Sequence, residues 1–443
     1  MRRRSFAISF LLTALAAGAA RAQEPVALTL GRAVAVAADT APAVQLAALR
    51  AAEAGQRVRE VRGALLPNLS AAVAEDRRTS NLETFGFSLP LPPGQSIPSK
   101  IGPVDVFDAR MRASTPLFDP AGIARVRAVK AAAEGSQADQ ATAAEGSAQR
   151  AALAYVQAER ASATIAARRE DVRLATELVS LAQAQLDRGV ATALDVTRAR
   201  TQLATAQGLL SVAQNQLQQA RLALTRAMGV TPSTAVAIED ALGPQTATSA
   251  VPADEAAALQ AALANRPELR SAAAAERAAR LSASAVRAER LPRLDLAADY
   301  GLSGINVADA FPTYNLAVQV SLPVFDGFRR EARQQQQELV AQEARVRVGD
   351  VQQQVEAEVR SALLDVANGQ DQQRIAAERL RLANEELSQS QERFANGLAT
   401  NIEVINAQQN LVRARDAVID AQAATAAARV NLARATGTTL NIR

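Results

Sequence analysis

Apolar residues recur at every seventh position over long stretches of this chain. Ile165, Val172, Val179 and Leu186 mark one such line; beyond Gly189, Val196, Leu203, Leu210, Leu217 and Leu224 mark another. The spacing returns as Gln373, Leu380, Leu387 and Phe394, then as Val404, Leu411, Val418, Thr425 and Leu432. Sustained heptads with Ala, Gln, Arg and Glu between them predict long helices in coiled-coil packing. From Asp119 to Leu186 no convincing breaker follows Pro120, so a helix there would run to about 100 Å. Asp119 can cap it with Pro120 as its first residue, and Asp326 is expected to cap the equivalent helix. Periodicity alone leaves a soluble coiled-coil rod open.

Shorter segments alternate instead. Leu294, Leu296, Ala298, Tyr300 and Leu302 are separated by Asp295, Ala297, Asp299, Gly301 and Ser303. Tyr314, Leu316, Val318, Val320 and Leu322 continue the pattern, as do Phe107, Ala109, Met111, Ala113 and Thr115. Asn68–Asp76 alternates more weakly. Strands of about ten residues, apolar on one face, fit a membrane β-barrel with a wet lumen. A soluble antiparallel sheet with one buried face gives the same alternation. Coupling to very long helices favours the barrel. Four strands cannot close one, and lipid tolerates no open edge, so closure asks for several copies, three giving twelve strands.

The chain is also duplicated. Leu186-Asp187-Arg188-Gly189-Val190-Ala191-Thr192-Ala193-Leu194-Asp195-Val196 recurs as Phe394-Ala395-Asn396-Gly397-Leu398-Ala399-Thr400-Asn401-Ile402-Glu403-Val404, an offset of 208 shared by Gly229 and Gly437. Pro116-Leu117-Phe118-Asp119 matches Pro323-Val324-Phe325-Asp326 at 207, whereas Leu66-Pro67-Asn68-Leu69 matches Leu291-Pro292-Arg293-Leu294 at 225. The first copy therefore carries 18 extra residues between those motifs, near 80–103. Its Leu89-Pro90-Leu91-Pro92-Pro93-Gly94-Gln95 reads as an exposed loop.

Composition narrows the chemistry. The 443 residues contain no His, Cys or Trp, and Lys only at Lys100 and Lys130. There is no Ser/His or Cys/His couple, no imidazole or thiolate metal site and no disulfide. An enzyme is not expected, nor a cofactor or a metal. The net charge of +4 suggests a basic protein, but residues 1–22 hold Arg2, Arg3, Arg4 and Arg21 and no acid, so without them it is zero. Nucleic acid is therefore not an expected partner. A basic start, an apolar stretch from Phe6 to Ala20 and Ala20-Arg21-Ala22 read as a signal peptide cleaved after Ala22. An uncleaved anchor is the competing reading. Arg168, Arg169, Arg173, Arg188 and the run Gln334–Gln337 read as a solvated helical face, with a tunnel lining as the alternative.

Taken together, the chain resembles the TolC family of outer membrane efflux proteins over essentially all of its mature length. Leu28-Thr29-Leu30-Gly31-Arg32-Ala33, Ala64-Leu65-Leu66-Pro67-Asn68-Leu69, Pro116-Leu117-Phe118-Asp119, the turns at Gly189 and Gly397 and the duplication carry the resemblance. It implies a mainly α chain of four strands and four long or stacked helices. The homotrimer would form a twelve-stranded barrel in the outer membrane of a Gram-negative bacterium and an α-helical tunnel across the periplasm. Residues 41–65 and 192–229 would stack end to end alongside 119–186. The implied division is 1–22 signal peptide, 23–65 equatorial and upper tunnel helices, 66–117 first β-hairpin and 118–229 first helical hairpin. Then follow 230–255 linker and equatorial segment, 256–290 tunnel helix, 291–325 second β-hairpin, 326–436 second helical hairpin and 437–443 tail.

The resemblance also implies a passive exit duct, fed by an inner-membrane transporter through a periplasmic adaptor. Small toxic compounds are the expected cargo. Type I protein secretion and a soluble periplasmic coiled coil are the alternatives. Gly189, Val190, Ala191 and Thr192, with Gly397, Leu398, Ala399 and Thr400, would form the periplasmic tip where the adaptor docks. Such turns also simply join helices. Glu403 matches the first of two acidic positions that narrow the tip, whereas Asn406 stands at the second. Asp195 matches an acid that locks the closed state, but Phe394 and Ala399 replace its tyrosine and arginine partners, so that lock is expected to be missing.

Overall fold

The computed structural model describes residues 26–81, 99–243 and 254–442. The expected signal peptide and the Leu89–Gln95 loop lie outside these. In chain order the elements are β1 (Val26–Leu28), α1 (Leu30–Thr40), α2 (Pro42–Gly63), β2 (Asn68–Asn81), β3 (Lys100–Phe118), α3 (Pro120–Asp187) and α4 (Ala193–Met228). The second copy follows as β4 (Val236–Ile238), α5 (Glu255–Asn265), α6 (Pro267–Ala288), β5 (Arg293–Gly304), β6 (Phe311–Ser321), α7 (Arg329–Ala395) and α8 (Asn401–Ala435). A 3₁₀ turn, Thr439–Asn441, ends it. Equivalent helices have nearly equal lengths: 11 and 11, 22 and 22, 68 and 67, 36 and 35 residues.

Helix α3 begins as its sequence dictates. Pro120 occupies the first turn, where its missing N–H costs nothing, and Asp119 Oδ1 accepts from Gly122 N at 2.8 Å. The equivalent start differs from expectation. Gly327 and Phe328 both adopt positive φ, 70° and 61°, so α7 starts only at Arg329 and Asp326 is not its cap. The second copy lacks the proline that would preset helical geometry, and Asp326 accepts from Arg330 Nε at 3.1 Å instead.

The heptads form the seams. On α4 the buried positions Val196, Ala199, Ala206, Ala213, Leu217 and Leu224 mix branched residues with alanine. The run of alanines at Ala199, Ala206 and Ala213 lets the long helices approach closely. Helix α4 packs on α3 and α8 on α7, while α3 against α8 joins the two pairs. There the expectation of a solvated arginine face fails for Arg168, which is buried. It donates to Asp171 on its own helix at 2.8 Å and to Asp416 on α8 at 2.6 Å, while Arg415 reaches Asp171 at 2.9 Å. Arg169, Arg173 and Arg188 remain exposed.

At both joints a shorter helix abuts the end of a longer one. Thr40 Oγ1 donates to Met228 O at 2.7 Å, seating the start of α2 against the end of α4. In the second copy Arg266, just before α6, donates to Ala435 O at 3.3 Å at the end of α8. A belt surrounds the first joint. Strand β1 pairs in parallel with β4, through Val26–Val236, Ala27–Ala237 and Leu28–Ile238. Three-residue strands lie below what alternation can reveal, so this pair, β1 in the expected helical segment 23–65 and β4 in the expected linker 230–255, was not foreseen. Beneath it Leu30, Ala33, Val34 and Ala37 of α1 meet Ala148, Ala151, Ala152 and Tyr155 of α3 in the largest apolar cluster. The Tyr155 hydroxyl lies 2.8 Å from Leu28 O and 2.9 Å from Asp240 Oδ2, and that carboxylate also accepts from Leu30 N at 2.9 Å.

The remaining strands form one antiparallel sheet in the order β2-β3-β5-β6. Pairings such as Leu69–Ala113, Met111–Tyr300 and Tyr300–Tyr314 keep the predicted apolar positions on a common face. That face is uncovered: Tyr314 is 82% and Val320 66% exposed. On the opposite face Arg110 of β3 bridges three strands, donating to Asp108 at 3.1 Å, to Asp299 of β5 and to Thr313 of β6 at 3.0 Å. The apolar side faces out and the polar side is cross-linked, the reverse of a soluble sheet packed on a core. Among the described residues no helix is long and apolar enough to cross a membrane.

Candidate functional site: the paired helical turns

The turns after α3 and α7 are built by one recipe. Gly189 and Gly397 take φ of 73° and 72°, which glycine adopts without a Cβ clash. Val190 N then donates to Gln185 O at 3.0 Å, and Leu398 N to Arg393 O at 2.8 Å. Each is a six-residue closure that satisfies a carbonyl left over at the helix end. Both copies restart through a threonine, Thr192 before α4 and Thr400 before α8.

At the restart the copies diverge. Asp195 Oδ2 accepts from Thr192 N at 2.9 Å and from Thr192 Oγ1 at 2.7 Å, an inward-turned cap. The Thr192 hydroxyl and N–H, with Arg198 nearby, hold the Asp195 carboxyl below the usual carboxylate range. Glu403, one methylene longer and half-buried, turns instead to Arg393 Nε at 3.1 Å across the turn. Asn406 lies exposed further along α8.

The structure brings the two turns together. Gln185 Nε2 donates to Ala395 O at 3.1 Å, and Asn401 Nδ2 to Asp195 O at 2.8 Å. A Cβ placed on Gly397 would sit 3.6 Å from Val190 Cγ1. Beneath them Leu178, Ala182, Val196 and Ala199 share one apolar cluster with Leu387, Phe394, Val404 and Leu411. Phe394 is thus a core residue at the foot of the turn. Around the rim, Val190 and Leu194 of one turn and Leu398 and Ile402 of the other stay exposed, equivalent side chains at the offset of 208. Ala191 and Ala399 are half-buried beside them.

Three residues here escaped the sequence reading: Asn401, Gln185 and Arg393. Gln185 and Arg393 are repeat equivalents at 208, so the duplication carried a signal for them. Asn401 matches Ala193, and nothing in its spacing distinguishes it.

A family model described as outer membrane efflux protein matches residues 33–230 and 258–438. The chain belongs to that family. This is an outer-membrane family, and its match runs through both copies of the repeat. Among curated relatives, outer membrane efflux protein BepC of Brucella suis is 28% identical over 296 residues, covering 65% of this chain and 62% of BepC. Pyoverdine export outer membrane protein OpmQ of Pseudomonas putida is 28% identical over 280 residues, covering 60% of this chain and 56% of OpmQ. The matched region thus spans less than two thirds of either relative's length. Among solved structures, the outer membrane protein VceC of Vibrio cholerae superposes with a TM-score of 0.76 at 20% identity, over 92% of this chain and 96% of VceC. That likeness shows the fold: long helices in stacked pairs, continuous with a small antiparallel sheet.

Proposed function

We propose that this chain is one third of a homotrimeric outer-membrane duct, a passive exit for compounds handed over by an inner-membrane transporter through a periplasmic adaptor. One observation carries the reading. The four-stranded sheet has an uncovered apolar face, a cross-linked polar face and two unpaired edges, β2 and β6. Such a sheet is stable in lipid only when its edges are closed, and three copies give a barrel wide enough for water. A soluble periplasmic rod would leave this apolar face in water. No catalysis is assigned: the duct lowers no chemical barrier, and its energy comes from the transporter.

The paired turns are the adaptor's docking place in this reading. Exposed apolar side chains from Val190, Leu194, Leu398 and Ile402 ring a rigid, glycine-closed end. Helical hairpins of an adaptor would bury them. Small molecules are the proposed cargo, in keeping with the pyoverdine export named for OpmQ; type I protein secretion remains the alternative use of the same duct. Glu403 from three copies narrows the tip, tempered here by the Arg393 beside each carboxylate.

The test uses single cysteines at Ala191 and Ala399 in a chain that has none. A thiol-reactive crosslinker in intact cells is expected to capture an adaptor, whose own transporter then distinguishes small-molecule efflux from protein secretion. Failure to capture one, with the protein in the soluble periplasmic fraction, would replace the duct by the rod. For the aperture, Glu403→Ala is expected to change trimer conductance and cation preference in planar bilayers; unchanged values remove Glu403 from that role.

A further inference from the structure

The duplication fixes how one copy of the chain pairs with the next. The repeat offsets, read from sequence motifs at the strand ends, are 225 for the first strand of each hairpin and 207 for the second. They carry β2 onto β5 and β3 onto β6. The structure supplies an internal check. Leu69 pairs with Ala113 in the first hairpin; adding the offsets gives Leu294 with Val320, the pairing found in the second. Met111–Ala71 likewise maps onto Val318–Leu296, also found. The two hairpins therefore share one register, residue for residue.

Between the hairpins runs the seam of β3 with β5, through Met111–Tyr300, Ala113–Ala298 and Thr115–Leu296. It joins the second strand of copy one to the first strand of copy two. In a closed ring the next such junction is β6 of one subunit with β2 of its neighbour. We infer that this intersubunit seam repeats the internal one. Transferring its register pairs Val318 with the partner's Glu75, Val320 with the partner's Val73 and Leu322 with the partner's Ala71. Val318, Val320, Leu322, Val73 and Ala71 then share the outward face, as a lipid-facing wall needs, with Glu75 the one charged side chain among the six; a slip of one residue would turn that row into the lumen.

A second observation agrees. The internal seam shifts register between Pro116 and Phe118, where Phe118 meets Leu294. Pro116 has no N–H to give to a ladder, so the shift falls where a proline interrupts it. The equivalent residues are Pro323 and Phe325, and the transferred contact is Phe325 with the partner's Leu69. In the single chain Phe325 is 73% and Leu69 65% exposed, and residues 322–326 lie in no strand. Strand β3 has neighbours on both sides and runs on to Phe118, whereas β6 has one and stops at Ser321. The missing neighbour is the one the transferred register supplies.

This inference rests on the trimer reading, and the test separates the two. Val320→Cys and Val73→Cys are placed in one chain, which has no native cysteine, and the protein is oxidised in its membrane. Covalent trimers are expected on a non-reducing gel. Gln319→Cys with Ala74→Cys, the neighbouring pair on the lumen side, is expected to do the same. Val320→Cys with Ala71→Cys or with Glu75→Cys holds the cysteines about two residues out of step, beyond disulfide reach, with about tenfold less product expected. Native mass in detergent is measured alongside. A trimer that crosslinks best through residue 71 or 75, or through none of these pairs, overturns the register while the trimer stands. A monomeric mass overturns both.

Discussion

Asn401 donates its side-chain amide to the main-chain carbonyl of Asp195 at 2.8 Å, clipping the start of α8 to the first turn of α4. Asn401 is buried, so this bond is shielded from competition by water. It is a sequence-distant tie between the two turns, whereas the Asp195 carboxylate itself turns to Thr192. Replacing Asn401 by Ala removes the bond, at a cost of about 1 kcal/mol, while the Asp195 carbonyl keeps its partner within α4. The expected result is faster amide exchange around residues 189–200 and higher resting conductance. Unchanged exchange there would show that the apolar cluster alone holds the tip.

Gly189 and Gly229 have nearly the same φ, 73° and 74°, but not the same surroundings. A Cβ on Gly189 meets nothing within 4 Å, whereas one on Gly229 would stand 2.7 Å from Thr40 O and 2.8 Å from Ala41 Cα. Gly189→Ala is therefore expected to cost only left-handed strain, about 1 kcal/mol. Gly229→Ala must also push apart the joint between α4 and α2, for about 2–3 kcal/mol in all. Thermal unfolding of the two variants in detergent checks the order; equal shifts would mean that the joint yields freely.

How much of this was legible in the sequence depended on length of pattern. Heptads extending over several turns and alternation over ten residues reported the helices and the sheet, and glycine with a repeat offset located the turns. Short or nonlocal devices did not show. Strands β1 and β4 are three residues each. Asp326 looks like Asp119 until Gly327 and Phe328 delay the helix. Arg168 sits among charges that read as solvent-facing, and only the approach of α8 buries it. At the tip, Asp195 and Glu403 align in sequence, yet their carboxylates take different partners: Thr192 in the first copy and, in the second, Arg393, whose equivalent is Gln185.

Glu159 on α3 is 1% exposed, and neither of its carboxylate oxygens has a hydrogen-bond partner. Burial, and secondarily the nearby Asp240, pushes its pKa from 4.5 up to about 7. The folded state thus favours the neutral acid. Below 4.5 folded and unfolded chains are both protonated here, so this group imposes no penalty. As pH rises from 4.5 to about 7 the unfolded chain ionises first, and stability falls by about 3 kcal/mol before levelling off. Glu159→Gln is expected to raise the unfolding midpoint at about pH 8 and leave it little changed near pH 4.5. A gain of equal size at both values would point to packing rather than ionisation.

The buried Arg168 ties α3 to α8 through Asp416 at 2.6 Å and holds Asp171 of its own helix at 2.8 Å, which Arg415 of α8 reaches in turn at 2.9 Å. Removing one member strands its partners where water cannot fully solvate them, so Arg168→Ala is expected to cost about 3 kcal/mol. Arg168→Lys supplies a single ammonium in place of a planar fork and cannot hold both carboxylates equally, so its loss should be intermediate. Arg168→Met with Asp416→Leu is the sharper comparison, because it replaces charge with apolar volume on both helices. That double variant is expected to lose less than the two single changes together, with a coupling of about 1–3 kcal/mol. Thermal unfolding of the four proteins measures it. Strictly additive losses would mean that the helices are held by their alanine and leucine seams alone and that the arginine merely fills space between them.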